Sequence, residues 1–132
     1  MNHKITLVTM SLLTILLSTF HITDDIVRGF ETGDRSTFNF VLIASVLLIG
    51  TLMLTERRAG YVIMLLGGLG GAGVAWLHMG GRGLVGGRIA GTSGIFFWVF
   101  TLIALGITGA MTAILSAQGL WRSRRFSASL SK

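Results

Sequence analysis

Four apolar runs, each near the ~20 residues that a helix needs to cross a bilayer, dominate this sequence. They cover 5–22, 38–54, 59–77 and 95–117. Only 12% of the 132 residues are charged, whereas a small soluble domain carries charge on roughly 25–35% of its surface. Most of the surface must therefore face something other than water. The pattern predicts an all-α, polytopic membrane protein: one membrane domain, 1–132, folded as an antiparallel four-transmembrane-helix bundle with a basic cytoplasmic tail at 120–132.

The first run resembles the apolar stretch of a secretory signal, since Lys4 precedes it. It is long for one, however, and Ser18-Thr19-Phe20-His21 is a poor match to an A-x-A cleavage site. We expect a retained helix. With no proline, none of the helices is expected to be broken or kinked by that residue. With no cysteine, disulfides, thiolate nucleophiles and cysteine metal sites are excluded.

The cations set the orientation. With the N-terminus inside, Lys4, Arg57, Arg58, Arg122, Arg124, Arg125 and Lys132 lie on the inner side, and Arg28, Arg35, Arg82 and Arg88 on the outer. Four acids, Asp24, Asp25, Glu31 and Asp34, fall outside, and Glu56 alone falls inside. The inner side thus holds the entire +6 net charge. A basic excess belongs in the cytoplasm, so both termini are expected there, in a plasma (inner) membrane. The same placement argues against nucleic acid as the partner of this basic chain. The expected partners are the lipid bilayer and a protein partner or a second copy.

Helical periodicity assigns faces. Ser11, Thr14, Ser18, His21 and Asp25 fall within an arc of about 80° if the first helix runs past the membrane edge. Polar groups are costly in hydrocarbon, so this stripe should face protein or water; the plainer reading of each hydroxyl is a bond to its own carbonyl four residues back. Thr101, Thr108, Thr112 and Ser116 share one side of the fourth helix. Small residues mark packing faces: Gly60, Gly67 and Gly71 on the third helix, and Gly106, Ala110, Ala113 and Ala117 on the fourth. The Gly67-x-x-x-Gly71 pair suits close helix approach.

Gly68-Leu69-Gly70-Gly71-Ala72-Gly73 matches the dinucleotide fingerprint literally, but no strand precedes it and it falls at membrane depth, so helix packing explains it better. Arg122, Arg124 and Arg125 follow the last run beside Trp121 and Phe126. They are positioned to meet anionic lipid headgroups, at ~1 kcal/mol per cation, and a plain topology anchor accounts for them too. The outer connection repeats Gly80-Gly81-Arg82 and Gly86-Gly87-Arg88; pairing of its arginines with the acidic first loop is expected.

The sharpest feature is a pair of histidines. Helices one and three both run outward and end near His21 and His78. Asp24 and Asp25 follow His21 at i+3 and i+4, and Asp25 shares its face. Two imidazoles and a carboxylate suit Zn²⁺ or a similar divalent ion. Opposed histidines also suit haem, and a proton-sensitive His–Asp pair is a third outcome. The plainer reading is an interfacial histidine bonded to a loop carboxylate. No G-x-S-x-G, H-E-x-x-H or P-loop occurs. The expectation is a small non-enzymatic accessory or interaction protein. The alternatives are a metal- or haem-binding membrane protein using His21, Asp24, Asp25 and His78, and an oligomeric small transporter or channel.

Overall fold

A computed structural model describes residues 2–29, 33–80 and 93–130, with side chains for 2–29, 37–78 and 93–123. The described chain is all-α. Four helices follow in order: α1, His3–Val27; α2, Gly33–Leu52; α3, Arg58–Gly80; and α4, Ile95–Leu130. Three of them are long and apolar enough to cross a membrane: α1, α3 over Arg58–His78 and α4 over Ile95–Ser123. The apolar part of α2 is shorter, Thr37–Leu52. At 1.5 Å per residue that stretch reaches about 24 Å.

Local signals account for the ends. Asn2 caps α1, its side chain accepting from the Lys4 N–H at 3.2 Å. Gly29, at φ +72°, terminates it in the left-handed conformation that glycine adopts without penalty. The α2–α3 turn closes with the Arg57 N–H donating to the Leu54 carbonyl at 2.9 Å. Gly60 is required there, since a Cβ at that position would collide with the Leu54 carbonyl. Gly60 serves the turn and the α2–α3 face together, since the same Cβ would lie 3.0 Å from the Gly50 carbonyl oxygen of α2.

Neighbours along the chain run antiparallel. Lys4 meets Glu56 at 2.8 Å, Ser11 meets Thr51 at 2.7 Å, and the Thr14 and Thr112 hydroxyls lie 3.2 Å apart. α1 and α3 lie parallel. α4 packs on α1 and α3 but does not touch α2, which rests on α1 and α3 alone. The α3–α4 seam is the tightest. A Cβ on Gly68 would lie 2.6 Å from the Ala113 nitrogen and 2.7 Å from the Gly109 carbonyl oxygen; one on Gly109 would lie 2.6 Å from the Ala72 nitrogen. Here backbone lies directly on backbone. Gly106 joins the seam, its virtual Cβ 2.9 Å from Ala75 Cβ. Ala110 and Ala117 are exposed, so the small face of α4 passes through Gly106, Gly109 and Ala113 instead. Gly67 faces Leu47 of α2, and Gly71 faces Thr14 of α1 and Leu105 of α4.

The interior is unusually polar. Thr6, Ser11, Thr14, Thr51, Thr55, Thr101, Thr112 and Ser116 are buried alongside a core of Leu7, Ile15, Met64, Trp98, Leu102, Leu105 and Ala113. Thr6, Thr14, Thr101 and Thr112 donate to carbonyls of their own helix, as Thr14 does to Met10 at 2.8 Å and Thr112 to Thr108 at 2.8 Å. The outside is apolar, with Phe96, Phe38, Met53, Trp76 and Leu77 each more than two-thirds exposed.

Candidate metal centre

α1 does continue past residue 22, through Val27, and this places Asp25 one turn above His21 on the buried face. His21 is 1% exposed and Asp25 is 8% exposed. His78, one turn from the end of α3, completes a cluster in which one ligand atom from each of the three residues lies within 4.8 Å of the others. The imidazoles meet edge to face, ring centroids 5.2 Å apart. The approach of α1 to α3 below them depends on Gly71, whose missing side chain leaves room for Thr14 Cγ2.

Each group is held in a definite way. His78 Nδ1 lies 2.8 Å from the Val74 carbonyl, so Nδ1 carries the proton and Nε2 presents its lone pair. Trp98, fully buried in the first turn of α4, donates its indole N–H to Asp25 Oδ1 at 2.8 Å. Its ring lies 5.3 Å from both imidazoles. Asp25 Oδ2 is 3.6 Å from His21 Nε2, too far for a hydrogen bond. Neither ring nitrogen of His21 finds a hydrogen-bond partner among the described residues.

The geometry fits a small cation. In a tetrahedral site with bonds of ~2.1 Å, ligand atoms are ~3.4 Å apart. The His21–Asp25 separation already matches. His78 has to close by about 1.4 Å at most, since the three ligand atoms lie within 4.8 Å of one another. A buried carboxylate with one neutral donor is poorly compensated, and a divalent ion would supply the missing charge. Haem does not fit between these residues: a macrocycle ligated from both faces needs the imidazoles apart, and here they touch.

Asp24 is not in the cluster. Its carboxylate turns to Arg28, Nε to Oδ2 at 2.7 Å, because i and i+4 lie on one helix face and Asp24 is rotated ~100° from Asp25. Arg28 also donates to the Ser93 carbonyl at 3.0 Å, tying the end of α1 to the start of α4. Arg122 is exposed on the last turns of α4. The side chains of Arg124 and Arg125, and Arg82 and Arg88 with the glycine repeat around them, lie outside the described residues.

Trp98 is the residue that sequence reasoning missed. Its signal was a lone tryptophan, an obligate donor, in the first turn of the fourth apolar run and at the same depth as both histidines. The chain matches no protein-family model, and no curated protein and no solved structure is detectably similar to it.

Proposed function

We propose that this chain is an integral protein of the plasma (inner) membrane whose role is to hold one divalent transition-metal ion at the outer edge of the bilayer. It acts as a non-enzymatic accessory protein. His21, Asp25 and His78 are the protein ligands, and a fourth position is left for water or an exogenous donor, as three-ligand zinc sites have. The observation that carries this is the buried His21–Asp25–His78 cluster, with an unpartnered imidazole facing a carboxylate at ion-bridging distance.

Elemental analysis of detergent-purified protein loaded with Zn²⁺ is expected to find about one ion per chain, and loading with Co²⁺ to give the visible bands of a tetrahedral N/O site. Both should be lost in His21→Ala and in His78→Ala. Equal metal in wild type and His78→Ala rules the site out.

Four membrane crossings with both termini inside complete the proposal. The cationic excess on the inner side supports it, as does the apolar exterior, far larger than a soluble monomer exposes. α2, a helix of 20 residues, crosses as the fourth span. A reporter active only outside the cytoplasm should be silent when fused at Lys132 and active near Gly33. Activity at Lys132 would refute the orientation.

A further inference from the structure

The His21–Asp25–His78 cluster is shut off by the residues around it. Both ring nitrogens of His21 are buried, Asp25 is largely so, and Trp98 is wholly buried. An ion therefore reaches these ligands only when something moves. The periodicity of α1 identifies what stands in the way. Arg28 lies seven positions beyond His21 and three beyond Asp25, so at 100° per residue all three fall within an arc of about 60° on one face. Arg28 continues the helical path as the C-cap of α1, with φ −80° and ψ −5°. It stands about 10 Å past His21 along the axis, on the side of the cluster where α1 and α3 end and α4 begins.

The Arg28 guanidinium does not point into water. Nε donates to Asp24 Oδ2 at 2.7 Å and Nη2 to the Ser93 carbonyl at 3.0 Å. The Arg28 and Asp24 side chains are only 13% and 16% exposed. The guanidinium thus spans from α1 to the turn that opens α4. Gly94 in that turn has φ +78°, and a Cβ on it would lie 2.8 Å from Nη2. The Gly94 carbonyl accepts the Trp98 backbone N–H at 3.2 Å. Arg28 therefore holds the same turn of α4 from which the Trp98 indole reaches Asp25. Two rungs, Arg28–Ser93 and Trp98–Asp25, join the same helix ends, and the first stands farther along α1.

We infer that Arg28, paired to Asp24 and seated on Ser93, is a lid over the His21–Asp25–His78 site, and that its release is the step that admits and frees the ion. The inference rests on the ion reading only for what passes. The closure over His21 stands on the geometry alone. A single side chain bridging two helix ends can let go without unfolding either helix, as the lids of closed sites do.

Diethyl pyrocarbonate, which acylates accessible imidazole nitrogens, tests the lid on the metal-free full chain in detergent. The rate at each histidine is read by mass spectrometry of its peptide. Arg28→Ala should raise the rate at His21 at least ~10-fold and leave His3, at the opposite end of α1, unchanged. Arg28→Gln keeps a donor for the Ser93 carbonyl but loses the charge opposite Asp24, and should fall between. In protein loaded with Co²⁺, loss of the ion to excess EDTA should quicken by a similar factor in Arg28→Ala. Uptake should quicken with it, so that affinity stays within about twofold. Wild-type labelling of His21 in both variants, or a rise shared by His3, overturns the inference. So does Co²⁺ that binds and leaves Arg28→Ala at the wild-type rate. Faster labelling at His21 in a protein that takes up no Co²⁺ removes the ion reading alone and confirms the lid over the histidine.

Discussion

Gly68→Leu is expected to unseat α4 from α3 and to lower stability in detergent by at least ~3 kcal/mol, with Gly109→Leu doing the same from the other side. Overpacking a core by extra methylenes typically costs ~1–3 kcal/mol because neighbouring side chains yield. Here the neighbours cannot yield, since the atoms met at 2.6 and 2.7 Å are the Ala113 amide nitrogen and the Gly109 carbonyl oxygen. Two helix backbones would have to separate along their whole seam, and the packing of Trp98 and Leu102 against Val74 and Ala75 would be disturbed with it. Gly67→Leu and Gly71→Leu should be milder, because the atoms they meet first belong to the side chains of Leu47, Thr14 and Leu105. Gly73→Ala should be neutral or stabilising by ~0.5–1 kcal/mol, the usual gain of alanine over glycine within a helix. Thermal unfolding followed by circular dichroism in one detergent ranks the five. A Gly68→Leu protein that melts with wild type would show that the seam is not as close as described.

That ranking also marks where sequence reading reached and where it stopped. Hydropathy located the four helices because apolar runs are local. It could not locate their ends, because what stops being apolar does not stop being helical. α1 continues to Val27 and α4 to Leu130; beyond Gly119 the last segment has neither proline nor glycine, and its alanine, leucine and arginine are good helix formers. Glycine faces were legible only to within a residue. At 3.6 residues per turn, Gly106 is followed about equally well by 109 or 110, and only the partner helix decides.

The candidate site divides along the same line. His21 and Asp25 were legible as a pair because i and i+4 share a face, and Asp24 was separable from them by the same periodicity, though the sequence left it in. His78 was legible by its position, from the shared direction of α1 and α3. Trp98 was not, because its partner lies 73 positions away on a helix reached through residues 81–92, and no periodicity encodes that pairing. The isolation of both His21 ring nitrogens was also out of reach, since it is a property of all the surrounding helices together.

Trp98→Phe should weaken Zn²⁺ and Co²⁺ binding about 10- to 100-fold, the usual effect of removing a partner that orients a ligand. Phenylalanine keeps a ring against His21 and His78 but loses the indole N–H, so Asp25 Oδ1 is left without its donor. The carboxylate then relieves its burial by rotating toward bulk water past the end of α1, which removes Oδ2 from its position opposite His21 Nε2. Asp25→Asn separates charge from geometry, since the amide oxygen can still accept from Trp98. In the metal-free protein this change should be neutral or stabilising, because a buried charge is removed. Its metal affinity should nevertheless fall by more than that of Trp98→Phe, because an anionic ligand has gone. Isothermal titration with Zn²⁺, paired with melting of the metal-free proteins, tests both. If Trp98→Phe lowered the melting temperature while leaving the affinity at the wild-type value, Asp25 would be a structural carboxylate held by tryptophan, and the ion would have to be held by the two histidines alone.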